Sequence, residues 1–424
     1  MIEPERLERF LKRARDDRPP AVVVGTDVTG LSVAQALVRH GVPVIGVDER
    51  RRGYLGYSSA FHFVQCPDFQ GQGLIDLLEA LAGIVRQRAM LVLTMDETVK
   101  LVARSGLHLR DLYHFDFPES DVVDVLMNKQ RFTEHALAND LPLPRTECCE
   151  TVAQVQQASR KFDYPVIMKP RLKNRESRMH APRKTFLCST PEQLLADYAV
   201  LSQWEAEVLV QEWIPGGDDH VYFSFHYFNG DGEDVASFEG RKLRQYIPDC
   251  GVTASAVGVP EPQVTELSRR ILRDVSCRGF CSVEYKRDPR TGRYYIIEPT
   301  VGRVDLQLGV APANGVDIVS RVYFSLIGET YPVVERPVHD VVWLRGKADL
   351  QAARFYVRRG DFTWTEYLRS LSGRRRFAVW GSPDRGLVLG WIRVTALGAM
   401  KLPFRAARKV YRAARRGITA SGPS

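Results

Sequence analysis

The stretch Ala21 to Asp48, AVVVGTDVTGLSVAQALVRHGVPVIGVD, limits the fold more than any other part of the chain. It reads as an apolar strand, a glycine turn, an amphipathic helix stopped at Gly41, and a second strand ending on an acid. Strands joined through a helix lie parallel in one sheet with the helix crossing its face, so the chain begins with α/β layering. The turn also limits what this unit can hold. A dinucleotide turn, G-x-G-x-x-G, needs glycine at its middle position so that the backbone can approach a pyrophosphate, and here Asp27 stands between Gly25 and Gly30. The two glycines are therefore read as a tight turn and a helix-packing contact, with a nicotinamide-dependent dehydrogenase as the minority alternative. Leu91 to Thr94 adds a third strand with Asp96-Glu97 at its end, and residues 1 to about 125 are expected to form one small Rossmann-like domain. The charged leader MIEPERLERFLKRARDDRPP is read as a solvated helix with no apolar segment for secretion.

The second constraint is CSVEYKRDPRTGRYYIIEPTVGR, from Cys281 to Arg303, where Glu284 and Glu298 stand on strands that would otherwise be apolar. With Asp288 to Gly292 as the turn and Arg287 opposite Arg293, Glu284 faces Ile296 and Glu298 faces Ser282. Both acids then share one face as diagonal neighbours. Two like charges so close call for a bridging cation, and hard oxygen ligands without His or Cys suit magnesium.

At 424 residues with 44% hydrophobic and 26% charged residues, the chain is ordinary globular material with room for two or three cores. Its net charge of +8 suggests a nucleic-acid partner until it is located. Residues 401 to 416, KLPFRAARKVYRAARR, carry almost all of it, so the body is near neutral and direct nucleic-acid binding is not expected. The irregularly spaced cysteines, with Cys148 and Cys149 adjacent, suit reduced thiols in a cytoplasm, and Cys277 and Cys281 lack the second ligand pair that zinc needs.

Between these landmarks the chain is rich in placed cations. Asn128-Lys129 opens a helix, Leu141-Pro142-Leu143-Pro144 is a rigid extended connector, and Tyr164 to Pro170 (YPVIMKP) ends a strand on Lys169. Residues 171 to 184, RLKNRESRMHAPRK, form a basic loop able to close over phosphates, with Lys184 at its end. Val208 to Pro215 is a strand running into Gly216-Gly217-Asp218-Asp219. Gly240 to Tyr246 then sets Arg241, Lys242 and Arg244 close together.

Taken in order, these landmarks resemble the ATP-grasp superfamily, in particular its carboxylate–amine ligases and relatives in bacterial surface-polysaccharide clusters. The resemblance runs from about Ala21 to Gly328. It implies α/β and α+β architecture: a Rossmann-like pre-ATP-grasp domain (1–125), a two-lobed ATP-grasp domain (126–335, lobes about 126–205 and 206–335) and a helical basic C-terminal extension (336–424). It implies ATP and Mg2+ as cofactors, held by Lys129, Lys169, Lys184, the hinge Gln211-Glu212-Trp213-Ile214 around adenine, and Asp218 or Asp219 at the ribose. Glu284, Glu298 and Thr300 are the implied metal ligands, with Thr300 standing where the family keeps Asn. Arg241, Lys242 and Arg244 are assigned to the substrate carboxylate and acylphosphate, and Arg303 to the γ-phosphoryl group. The implied reaction joins a small-molecule carboxylate to an amine through an acylphosphate, in the cytoplasm. An ATP-binding scaffold without turnover is the alternative that Thr300 keeps open.

The C-terminal part from 336 to 385 is rich in Arg and aromatic residues and is read as a short helical extension on the ligase. Gly386 to Met400 is apolar but shorter than a membrane span, with Arg393 in its middle. A helix through 404 to 416 would set Phe404, Ala407, Tyr411 and Ala414 on one stripe and Arg405, Arg408, Arg412 and Arg415 on another, suited to an anionic membrane at the inner face. A helix docked on the protein with its basic side in water is the alternative. A homodimer is entertained as a further partnership.

Overall fold

The computed structural model describes residues 3–12, 18–85, 87–170, 185–380 and 383–395. Lys184, the rest of the basic loop before it and the run 404–416 lie outside them.

The first unit is a four-stranded parallel sheet in the order β3-β2-β1-β4, built from β1 (Ala21–Val24), β2 (Val44–Asp48), β3 (His62–Gln65) and β4 (Met90–Leu93). Its central strands are buried along their whole length, as expected where helices cover both faces. Gly30 is required here because a Cβ would stand 1.8 Å from the Gly25 carbonyl oxygen. Gly25 itself has φ +101°, a region L side chains rarely adopt. Asp27 caps its own helix, accepting from the Thr29 and Gly30 amides at 2.9 and 3.3 Å. Its carboxylate thus takes up two amides at the helix start that a pyrophosphate would otherwise use, which argues against the dehydrogenase reading. The leading helix Pro4–Leu11 is docked, with Leu7 fully buried, so the expectation of a solvated helix is corrected.

A small antiparallel sheet follows, in the order β5-β8-β6-β7, from β5 (Thr146–Cys149), β6 (Val166–Pro170), β7 (Phe186–Cys188) and β8 (Val208–Glu212). The third sheet has seven strands in the order β13-β12-β9-β10-β11-β14-β15. These are β9 (Val221–Phe228), β10 (Asp234–Tyr246), β11 (Val252–Gly258), β12 (Gly279–Arg287), β13 (Tyr294–Val301), β14 (Val342–Leu344) and β15 (Arg375–Phe377). Two of the seven come from beyond residue 336, so the extension is not only helical: β14 pairs with β11, and Trp343 is buried in the central core. Helices Gly346–Arg359 and Trp364–Ser370 connect β14 to β15.

Alternation along β12 decides which side chains reach the cleft. Cys281, Val283 and Tyr285 belong to the core that also contains Val264, Ile271 and Leu272 of helix Pro262–Asp274, leaving Ser282, Glu284 and Lys286 on the opposite face. On that side the first unit closes against the large sheet. Val304 donates to the Leu93 carbonyl at 3.0 Å, and Tyr227 donates to Asp116 at 2.9 Å. Gly279, at φ +75°, admits the Asp116 carbonyl where a Cβ would stand 2.2 Å away.

Candidate active site

Glu284 and Glu298 are direct cross-strand partners, not diagonal neighbours. The turn closes one residue later than expected: the Asp288 amide donates to the Arg293 carbonyl at 2.9 Å, and Arg287 pairs with Tyr294. That slip alone would send Glu298 to the other face. A bulge between the Glu284 and Tyr285 rungs, taken up at Ile297, returns it to the face of Glu284. Ser282 and Thr300 form a nearby rung on the same side.

Glu284 is surrounded by donors. Lys242 Nζ lies 2.8 Å from Oε1 and 2.9 Å from Oε2, and Gln307 Nε2 donates to Oε1 at 2.7 Å. Glu298 is exposed. Lys242 is thus placed on the metal-type carboxylate, itself buried and also bonded to Gln245 at 3.2 Å. Among the described residues no group of three or more His, Cys, Asp or Glu gathers as a protein-only metal cage. Two hard carboxylates on one rung still suit magnesium, which is commonly held by one or two carboxylates together with substrate phosphates and water.

The other two cations of the β10 cluster go elsewhere. Arg244 is buried and bidentate on Asp349 at 2.7 and 3.1 Å, donates to Ser370 at 2.9 Å and lies over the Tyr367 ring. All these partners lie in the C-terminal extension, so the assignment of Arg244 to a substrate carboxylate is corrected: its charge is matched by a buried carboxylate of the extension. Arg241 remains partly exposed, bonded to the Asp219 carbonyl at 3.2 Å. Asp218 is also turned inward, accepting from Gln245 Nε2 at 2.7 Å, from the Asp249 amide and from the Tyr356 hydroxyl. A ribose role for Asp218 is therefore corrected, and Asp219 is the half-exposed acid of the pair.

Across the cleft, Lys169 donates to Gln211 Oε1 at 2.9 Å, and Gln211 Nε2 in turn donates to Thr146 at 2.8 Å. Lys129, the first residue of a helix capped by Asn128, donates to the Pro170 carbonyl at 3.0 Å. Both lysines therefore meet at the C-terminal end of β6. The hinge continues from Glu212, whose amide bonds the Arg145 carbonyl at 2.8 Å, through Trp213 to the buried Ile214.

Three site residues were missed by the sequence reading. Lys286 anchors the hinge to β12, donating to the Gly216 and Gly217 carbonyls at 2.7 and 2.6 Å with its ammonium over the Trp213 ring. Burial holds its pKa below the ordinary lysine value, against the pull of Asp218 and Asp249. The alternation that placed Glu284 on the cleft face also places Lys286 there, two residues on. Asp305 accepts from Ser282 at 3.3 Å and from Arg303 Nη1 at 3.4 Å. Arg303 further bonds Asp96 at 2.5 Å. Burial works against its charge, but Asp96 and Asp305 outweigh burial, Glu298 adds to them, and the guanidinium is held above its ordinary pKa. Arg345, just past β14, donates to the Thr253 carbonyl at 3.1 Å and feels the charge of Asp27. Burial lowers its pKa. Thr253 also bonds Gln307 at 3.3 Å, so a short chain of contacts links Arg345 to Glu284. Nothing local in the sequence marks Arg345; its position depends on β14 joining the sheet.

One further polar line is not part of this cleft. Ser224, His226 and Asp234 are hydrogen-bonded in series at 2.7 and 2.9 Å, the order of a nucleophilic triad. The Ser224 and His226 side chains are buried, and Asp234 is engaged by Arg269 of helix Pro262–Asp274 at 2.7 Å, which makes this a structural network.

No protein-family model matches the chain. A D-aspartate ligase from Enterococcus faecium is 22% identical over 221 residues, covering 50% of this chain and 52% of that one. A D-alanine–D-alanine ligase from Xylella fastidiosa is 25% identical over 203 residues, covering 45% and 63%. The chain thus spans about half to under two thirds of the curated relatives it matches. Among solved structures, the biotin carboxylase domain of 2-oxoglutarate carboxylase from Hydrogenobacter thermophilus, in complex with MgADP, superposes with a TM-score of 0.58 at 14% identity, over 77% of this chain and 74% of that one. N5-carboxyaminoimidazole synthetase from Staphylococcus aureus, complexed with ADP, gives 0.57 at 12% identity, over 76% and 80%. These relatives and neighbours are ATP-grasp ligases, and this chain has the ATP-grasp fold.

Proposed function

We propose that this ATP-grasp chain is an ATP-dependent, carbon–nitrogen bond-forming ligase that joins a carboxylate to an amine and releases ADP and phosphate. The observation that carries the reading is the Glu284–Glu298 rung, with Arg303 beside it and Lys129 and Lys169 at the end of β6. Glu284, Glu298 and Thr300 would hold magnesium, whose chemistry is to neutralise the nucleotide's phosphates. Lys242 already offsets the charge of Glu284, so the site binds a metal best when phosphates bring their own charge.

Lys129 and Lys169 bind those phosphates as point charges, and Gln211 orients Lys169. Glu212, Trp213 and Ile214 bound the adenine, with Lys286 fixing that segment and Asp219 at the ribose. A carboxylate oxygen attacks the γ-phosphorus, and the bond to the β–γ bridging oxygen breaks with its electron pair leaving on ADP. Arg303, held rigid between Asp96 and Asp305, stabilises the transferred group. A neutral amine then attacks the acyl carbon and expels phosphate. Arg345 takes over the carboxylate-orienting role first assigned to Arg244, with Arg241 at the cleft edge. Charge placement and alignment are most of what such a transfer asks of a protein.

The test is purified protein with ATP, magnesium and a panel of carboxylates and amines that includes D-aspartate and D-alanine, by analogy with the relatives. ADP and phosphate are the expected products, and AMP with pyrophosphate would refute the mechanism. Lys169→Ala should abolish nucleotide binding, whereas Glu298→Gln should retain it and lose roughly 10²–10³ in turnover. A second reading, ATP binding without turnover, is favoured by the full engagement of Glu284 with Lys242 and Gln307. Tight nucleotide binding with no product from any member of the panel would establish it.

A further inference from the structure

The helix through 385–395, RGLVLGWIRVT, carries its apolar side chains on the wrong side for a docked helix. Its inward face is held close: Leu387 is fully buried, and the Gly386 and Gly390 backbones approach Tyr57 so nearly that a Cβ would stand 2.1 and 2.7 Å from it. Asp384 fixes the start, accepting from Ser58 at 2.5 Å, from the Ser59 amide at 2.9 Å and from the Leu387 amide at 3.0 Å. The helix therefore cannot roll over to bury the rest. Val388, Leu389, Trp391 and Ile392 remain 47%, 66%, 49% and 52% exposed, at the i, i+1, i+3, i+4 spacing of one helical face. Trp380, stacked on Tyr54 at 5.9 Å, leaves a further aromatic edge in solvent. Arg385 and Arg393 are the only charges on the helix and both are exposed. Five residues further on in the sequence, residues 401–416 bring seven Lys or Arg and no acid.

We infer that this face docks on the surface of an anionic lipid bilayer. An apolar, tryptophan-bearing helix face whose exposed charged neighbours on the helix are all basic matches a surface that is hydrocarbon beneath and negative above. A protein partner of mixed charge would call for acids as well, and the helix and the run after it have none. No helix among the described residues is long and apolar enough to cross a membrane, so the contact lies in the interface. Since the helix is locked to the Tyr54–Ser59 segment of the first unit, docking would set the orientation of the whole molecule on the bilayer.

The full chain should co-sediment with vesicles of phosphatidylglycerol in phosphatidylcholine, and much less with phosphatidylcholine alone. The variant L389S/W391S/I392S should keep its thermal midpoint, because the changed side chains are exposed, yet bind roughly tenfold or more weakly. Trp391 emission should shift to the blue on vesicle addition. No sedimentation of the full chain, or a triple variant that binds as well as the parent, would overturn the inference. So would a full chain that ignores vesicles but scatters light as a dimer which the triple variant converts to monomer, since a second copy would then own the face.

Discussion

The buried pair between Arg244 and Asp349 separates two accounts of the basic cluster on β10, and mutating it decides between them. Both side chains are nearly inaccessible, at 6% and 2% exposed, and their two bonds are reinforced by Ser370 and by Tyr367, whose hydroxyl donates to Asp349 at 3.1 Å. Arg244→Met leaves a buried carboxylate unpaired, and Asp349→Leu leaves a buried guanidinium unpaired. Each single change should cost about 3–5 kcal/mol, because removing one partner exposes the full desolvation penalty of the other. The double variant R244M/D349L removes both charges. What it loses is mainly the Tyr367 and Ser370 bonds, about 1 kcal/mol each. The three variants should therefore be non-additive by at least ~3 kcal/mol, the sign of one coupled unit. In thermal unfolding the singles should melt on the order of 10 °C below the parent and the double only a few degrees below it. The same double variant should keep ATP-dependent turnover within a few-fold. Retained stability with turnover down by about 10² or more would refute the structural account and return Arg244 to the substrate. Singles that each cost under about 1 kcal/mol would refute the claim that the pair ties the extension to the sheet.

Arg345→Met should raise the KM for the carboxylate substrate by roughly 10- to 10²-fold while leaving the Kd for ATP unchanged, as loss of a charge-assisted contact predicts; isothermal titration with nucleotide alone is the control. Asp234 carries a pH dependence. Burial opposes its charge, but the hydrogen bonds and charges of His226 and Arg269 outweigh burial and depress its pKa below the usual carboxylate value. A depressed folded-state pKa contributes stability that is complete above the unfolded value near ~4 and is lost as pH falls through the folded value. Urea midpoints should thus show Asp234→Asn less stable than the parent by about 1.5–3 kcal/mol at pH 7, with the gap closing below about pH 4. Gly30→Ala should destabilise the first unit by about 3 kcal/mol, since its Cβ would meet backbone and not a side chain able to move. Limited proteolysis between Ala21 and Asp48 would report that loosening.

The sequence by itself determined the elements and their order. Hydrophobic period, glycine turns and the Asn128 cap specify the βαβ unit, the helix at Lys129–Ala138, the strand that carries Lys169 and the β12–β13 hairpin, because these signals act within a few residues of one another. The absence of a middle glycine at Asp27 was equally legible, since a helix cap needs only the amides two and three residues on. The sequence also located the charge excess, and with it the end of the chain that differs from the body.

Only the tertiary structure decided which of the named charges are available. Lys242, Arg244 and Asp218 look alike on paper as polar residues near a glycine-rich turn, yet one lies on Glu284, one on Asp349 and one under Tyr356. Partners separated by 42, 105 and 138 positions cannot be read from local pattern. The bulge that makes Glu284 and Glu298 face each other is of the same kind, because register follows from how the hairpin packs on β9 and not from its turn residues alone. Arg345 reaches Thr253, and through it the contacts that lead to Glu284, because β14 joins the edge of β11. Local chemistry chose the residue types, and long-range pairing chose their neighbours, which decides whether a charge is spent on the fold or left for a ligand.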